Sequence, residues 1–486
     1  RGVARAGRLS RFRAHSPGAG GWSALDPKPQ RLLAPLAAAA VCVAVGVAWL
    51  SLGPDRPVER RIPLPRPTPE INGKAAPNPG TATAGRGKPS SRPGSWPGFR
   101  GANRDNVAAN AEPISPRWPP SGPRVVWRAT VGEGHAGAAI HRGRVYLVDY
   151  DREREEDAIR CLSLDDGAEI WRFAYSVVVK RNHGMSRTIP AVNDRFVVAL
   201  GPKAHVHCLD ADTGRLVWKK DLVAEYGAVV PLWYAGQCPL IDGDRAILAP
   251  GGKPLMMAVA LADGAEIWRA REHDGAGMTH SSIAPFEFQG RRQYLYCAAD
   301  GLYSVAADDG TVLWTRPDWK IKIANIPTPL PVGEDRIFLT GGYGTGSRMI
   351  RLKAAGGAIE TEELFRLPPT EFGSDQQTPI LYEDRIYGVR QKDALVCLSL
   401  DGKIVWESLG VNFGLGPYMI ADGRLLALQD QEGILVMAEA APSGYKELAR
   451  AKVLSGHDAW GPMAMAEGRL IVRDLTEMVC LNLNMR

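Results

Sequence analysis

The seven cysteines and nine histidines of this 486-residue chain are the side chains best suited to metal or redox chemistry, and their spacing denies most of it. No CxxC, no adjacent cysteine pair and no CxxCH occurs, which excludes zinc ribbons, thioredoxin-type redox sites and c-type haem attachment. The odd count argues against a complete disulfide framework. Cys161, Cys208, Cys397 and Cys480 recur in one context (RCLSL, HCLDA, VCLSL, VCLNL), and Cys238 and Cys297 lie in strand-like runs, so all six read as small core residues. His205 and His207 are two apart and share one strand face, but no third metal ligand is placed beside them. The glycine-rich run 341–346 lies between two strands rather than before a helix, so it reads as a hairpin loop and not as a phosphate cradle. The last candidates are far apart: His135, His183, Arg187, Gln237, His280, Asn325, Gln377 and Trp460 each stand just ahead of an apolar, β-type run. What they can do depends on whether the fold brings them together.

The elements that would position them are repeats. From about residue 124 one pattern recurs: an apolar stretch, a turn before Arg, two strand-like runs, a tight turn, and a last strand carrying Trp. The tryptophans are Trp127, Trp171, Trp218, Trp268, Trp314 and Trp406, at spacings of 44, 47, 50, 46 and 92 residues, the last being two repeats. Phe365 replaces Trp in the fifth copy, and the seventh lacks it. The eighth copy ends without its last strand, while RVVWRATVG (124–132) is a last strand without a repeat of its own. Pairing the two closes a ring and removes the open sheet edges. About 45 residues per four strands is blade-sized, so the chain reads as all-β, an eight-bladed β-propeller, or seven-bladed if the fifth copy is not a blade. At Asp166-Gly167, Thr213-Gly214, Asp263-Gly264, Asp309-Gly310 and Asp401-Gly402 the glycine supplies the positive φ of a tight hairpin. Each following Trp is expected to pack between blades, with its N–H bonded at such a turn. In such a ring the eight residues above surround the mouth of the central channel, where a polar ligand or peptide would bind.

Ahead of the repeats lie three segments. Residues 1–31 are basic, at +6. Residues 32–54 carry no charge and are long enough to cross a bilayer as one helix. Residues 55–95, rich in Pro and Gly, read as a disordered, extended tether. The basic block predicts a cytoplasmic N-terminus, an uncleaved inner-membrane anchor and an exported propeller. A cleaved signal peptide, with Gly46-Val47-Ala48 as its site, is the alternative. Once the tail and tether are set aside, 96–486 carries −5 of the chain's +6, so no nucleic-acid partner is expected.

Ala211-Asp212-Thr213-Gly214-Arg215-Leu216-Val217-Trp218 matches the core of the PQQ-like repeat, A-x-D-x-x-T-G-x-x-x-W, with a shorter front. With WPGFRGANRDNVA (96–108) and SGYKELARAKVL (443–454), the region 96–486 resembles the PQQ-binding-like propellers related to BamB, a component of the outer-membrane β-barrel assembly machinery. The resemblance implies a non-catalytic, monomeric scaffold for envelope proteins or peptides. BamB itself is a lipoprotein, whereas Cys42 here follows Val41 in mid-run and forms no lipobox. The enzymes resembling this fold hold PQQ and calcium with a Glu/Asn/Asp set, a base Asp and often a vicinal disulfide. The entrance loops here offer few acids and the chain has no Cys-Cys, so neither cofactor nor metal is expected, and a PQQ-dependent dehydrogenase is the second reading. A ligand-sensing ectodomain is the third.

Overall fold

A computed structural model describes Cys42 and residues 78–484, apart from 109–111, 271–276 and 392. The expected cytoplasmic tail, the membrane run other than Cys42, and residues 55–77 lie outside those described. No described helix is long and apolar enough to cross a membrane.

Eight four-stranded antiparallel units follow one another in the chain, at 139–176, 191–221, 240–269, 284–316, 330–367, 380–407, 418–452 and 464–482. The last of these has only three strands of its own. Arg124–Thr130 supplies the fourth, pairing antiparallel with Glu477–Asn482 and setting Trp127 opposite Cys480. This register recurs around the ring: Cys161 faces Trp171, Cys208 faces Trp218, Ala258 faces Trp268, Ser304 faces Trp314, Met349 faces Phe365 and Cys397 faces Trp406. In all eight blades the register slips by one residue directly after that position. Such a bulge bends and twists the outer strand. The fifth copy is a blade, and the ring has eight.

The tryptophans join blades, but the turn that receives each one belongs to the next blade. The indole N–H of Trp127 donates to Leu164 O at 3.0 Å, Trp171 to Ala211 O at 3.1 Å, Trp218 to Leu261 O at 2.9 Å, Trp268 to Ala307 O at 3.0 Å and Trp406 to Ala441 O at 2.8 Å. For Trp127, Trp171, Trp218 and Trp268 the hairpin glycine of that next blade lies flat against the ring, whereas Gly444, beyond Trp406, has nothing within 4 Å of an added Cβ. A Cβ at Gly214 would come within 2.5 Å of Trp171 Cε3, and one at Gly264 within 2.9 Å of Trp218. Trp314 differs. The fifth blade's outer hairpin is long and its glycines are remote, so the Trp314 N–H turns back to Gln293 Oε1 in its own blade, at 3.0 Å.

A second belt runs round the inner strands. The N–H of Ile189 donates to Cys238 Sγ, that of Cys238 to Ser282 Oγ, that of Ser282 to Thr328 Oγ1, and that of Thr328 to Thr378 Oγ1, at 2.8–3.2 Å. Each small side chain meets the equivalent backbone of the preceding blade, which satisfies a buried donor at every step. Cys238 is thus a link of this belt, and burial holds its thiol protonated.

The segment ahead of the ring is structured. From residue 78 the stretch expected to be tether lies on blade one: Thr81–Ala84 pairs with Glu169–Ser176 and covers that blade's outer edge. Ser95–Trp96 then pairs with the innermost strand of blade one, and Val107–Ala108 pairs parallel with that of blade seven. Between them the chain crosses the channel. Pro97 O accepts from Val192 N at 2.8 Å, and the Arg100 guanidinium donates to Thr378 O at 2.7 Å and Pro379 O at 2.9 Å. Asn106 donates through its side chain to Tyr418 O, and its carbonyl accepts from Ile420 N at 3.1 Å. The expected channel is therefore a well with a floor.

Candidate functional site: a blind well at the centre of the ring

The well has a volume of about 300 Å3. Its wall is built from the connections that carry the chain from the outermost strand of one blade to the innermost of the next. All eight connections contribute, from His135 around to Trp460 and Pro462, and Phe99, Arg100 and Asn106 form the floor. Of the eight residues expected at the mouth, His135, His183, Arg187, His280, Gln377 and Trp460 line it. Gln237 and Asn325 do not. Gln237 is spent bridging the backbone of Ala249 (Nε2 to O 2.6 Å), and Asn325 donates to Ala298 O at 3.2 Å. Both are buried and tie a connection to its own or a neighbouring blade, so they are structural.

The wall is held rigidly. His135 Nε2 lies 3.0 Å from His183 O, and its ring stacks on Trp460 with centroids 4.5 Å apart. Trp460 is itself fixed by its indole N–H on Asp430 Oδ2 at 2.9 Å, and Gln377 donates to Trp460 O at 3.0 Å. Arg187 donates to Asn182 O, His183 O and Gly184 O at 2.9–3.2 Å and so shapes its own loop.

The charge in the well is one-sided. Burial lowers the Arg100 and Arg187 guanidinia to about 10, which leaves both fully charged at neutral pH. Their partners are backbone carbonyls, and no ion pair of either is found among the described residues. Among the described residues, no Asp or Glu lines the well. Burial, reinforced by Arg187, pushes His135 down to about 3 and His280 to about 4, so both imidazoles are neutral. His135 Nδ1 and His280 Nε2 are buried without a hydrogen-bond partner. The site is therefore lined by Arg100 and Arg187 and by the flat apolar surfaces of Phe99, Trp233 and Trp460.

Sequence reasoning did not find the floor or Trp233 and Tyr343. Trp233 lies in a connection between blades and Tyr343 in the hairpin of 341–346, neither of which carries a strand pattern. WPGFRGANRDNVA had a recognisable sequence but no signal for where it goes. His205 and His207, the other histidines considered, pack on Tyr175 between blades one and two, away from the well.

The model of the family described as outer membrane protein assembly factor BamB matches residues 155–317 and 298–444. The chain belongs to that family. No curated protein matches it in sequence. Among solved structures, BamB from Moraxella catarrhalis superposes with a TM-score of 0.51 at 13% identity, covering 73% of this chain and 98% of that one. A europium-containing methanol dehydrogenase gives 0.57 at 13% identity, covering 79% and 90%. The quinohemoprotein alcohol dehydrogenase ADHIIG from Pseudomonas putida HK5 gives 0.55 at 12%, covering 81% of each. At these identities the likeness is one of fold.

The fold is thus shared with BamB and with dehydrogenases, one of them a quinohemoprotein, and the donor set of this well bears on whether it could hold a calcium-bound quinone. Calcium takes several oxygen ligands, mostly carboxylates. The described lining supplies amide and hydroxyl oxygens but no carboxylate, and no cluster of three His, Cys, Asp or Glu suited to a metal is found among the described residues. Arg100 and Arg187 suit the carboxylates of a quinone, but nothing beside them suits its calcium. The residues present do not fit the calcium-bound cofactor.

Proposed function

We propose that this BamB-family propeller is a non-catalytic scaffold that binds proteins of the cell envelope, held at the inner membrane by residues 32–54 with the propeller outside. The observation that carries the reading is the distribution of exposed apolar side chains. Val178, Val229, Leu232, Ile323 and Leu409 are the five most exposed large hydrophobics among the described residues, Leu232 at 74% and Leu409 at 80%. All five lie on the blade-to-blade connections that surround the well, on one face of the ring. Apolar side chains gathered on one face mark an interaction surface. Membership of a family described as an assembly factor supports a protein partner of that kind.

The test is cross-linking in intact cells followed by affinity purification of the full-length protein, with Leu232→Glu and Leu409→Glu as the comparison. Specific envelope proteins are expected with the wild type and should be lost with the double variant. Identical capture by both would reject this face as the docking surface. Turnover of an alcohol with added quinone and calcium would favour the dehydrogenase reading instead.

A further inference from the structure

From the blind, cationic well and its apolar rim we infer that the site captures the free carboxyl terminus of a protein chain ending in apolar residues. The inference rests on the scaffold reading and says what its partner presents. Three observations carry it. The first is charge. Arg100 and Arg187 both line the cavity, which has no lining carboxylate; Arg100 has Asp105 close by, whereas Arg187 has no ion pair among the described residues, and a buried cation without counter-charge favours a bound anion. The second is shape. Segment 96–108 floors the channel, so an extended chain cannot pass through. A chain end enters such a well, and the positive charge selects the carboxyl end over the amino end. A volume of about 300 Å3 holds the last one or two residues. The third is continuity. Trp233 in the wall adjoins exposed Leu232 on the same connection, and Tyr343 reaches the lining from an exposed position. The preceding apolar side chains of an incoming chain therefore have a surface to lie on.

The experiment uses the full-length protein in detergent and a fluorescent six-residue peptide, Gly-Ser-Gly-Val-Leu-Phe, in three forms: free carboxylate, C-terminal amide, and free carboxylate extended by two lysines. Anisotropy should show saturable binding of the first and at least tenfold weaker binding of the other two. Arg187→Gln should weaken the free acid about tenfold and leave the amide unchanged. Because that substitution also removes loop hydrogen bonds, Leu232→Glu on the exposed rim is the second variant, with the melting temperature of both recorded. Phenylpropionate, the small free acid, should compete only weakly. Competition by phenylpropionate as strong as by the peptide would overturn the chain-terminus assignment in favour of a small-molecule acid. Equal affinity for acid and amide, or no binding by a protein that melts normally, would overturn the carboxylate site. Capture of the same envelope proteins by wild type and Arg187→Gln would reject this inference while leaving the scaffold reading in place.

Discussion

At the scale of single residues, the repeated glycine does more than make a turn. Gly214 has φ +70°, and its missing side chain leaves room for the Trp171 ring of the preceding blade. Gly243 has a similar φ of +63° but nothing within 4 Å of an added Cβ. Alanine at either position bears the cost of the left-handed backbone, about 1 kcal/mol. Only Gly214→Ala adds overlap with a packed ring, worth about 1–3 kcal/mol more. Urea unfolding should therefore separate the two variants, and equal midpoints would remove the blade-contact argument. Asp157 makes a second residue-scale prediction. It is fully buried between blades one and two, receives the Tyr175 hydroxyl at 2.6 Å, and leaves Oδ1 unpartnered. Burial raises its pKa to about 8, against 3.8 in the open chain. The folded form then binds the proton more tightly than the unfolded one. The stability it contributes is complete below about pH 4 and is lost as the pH rises through 8. Asp157→Asn, which cannot ionise, should flatten that part of the stability–pH curve between pH 4 and 8. An unchanged slope would show that the carboxyl stays charged when folded.

At the scale of elements, the ring depends on a strand that lies at the opposite end of the propeller sequence from its partners. Arg124–Thr130 completes the last blade, and its Trp127 reaches forward to Leu164 in the first. A chain starting at residue 136 loses both contacts and exposes an unpaired edge. It should aggregate or lose its cooperative melt, whereas a chain starting at residue 78 keeps every described strand. If the two melted alike, ring closure by this strand would be of no consequence. The floor is a separable element. A chain starting at residue 112 keeps the closing strand but loses the segment that crosses from blade one to blade seven. Hydrogen exchange should then rise at Val192 and Ile420, whose amides donate to Pro97 O and Asn106 O, while the outer strands stay protected. Unchanged protection at both amides would mean that the floor is dispensable to the inner strands. The blade count was legible because each blade repeats one apolar and turn pattern. The floor was not, because it is built from single, unrepeated side-chain and backbone bonds such as those of Arg100.

At the scale of the whole molecule, the sequence-based expectation of export stands apart from the propeller. A +6 leader before a run of 23 residues without charge predicts a cytoplasmic N-terminus. A reporter active only outside the cytoplasm, fused after residue 110, should be active. Added protease should degrade the propeller in spheroplasts. Protection there would reverse the proposed orientation and move the search for partners into the cytoplasm.

Periodicity determined what repetition can encode. The Trp spacing, the hairpin glycines and the unaccompanied strand at 124–132 give the blades, their order and their closure, with eight favoured and seven left open at the Trp-less fifth copy, because each is a local pattern imposed by four strands and a turn. The same reasoning placed six of eight candidate residues around the well, since position within a repeat is position within the ring. Tertiary structure decided the rest. Gln237 and Asn325 hold equivalent positions, yet they turn to nearby backbone carbonyls, and no periodicity reports a side-chain rotamer. Nor does it report that residues 97–106 lie across the axis. That placement is fixed by contacts nearly 300 residues away, such as Arg100 with Thr378 and Pro379. Those contacts turn a channel into a well and bring a second cation into the cavity that Arg187 lines. The chemistry of the site thus arises from long-range pairing, which a local reading of the chain cannot contain.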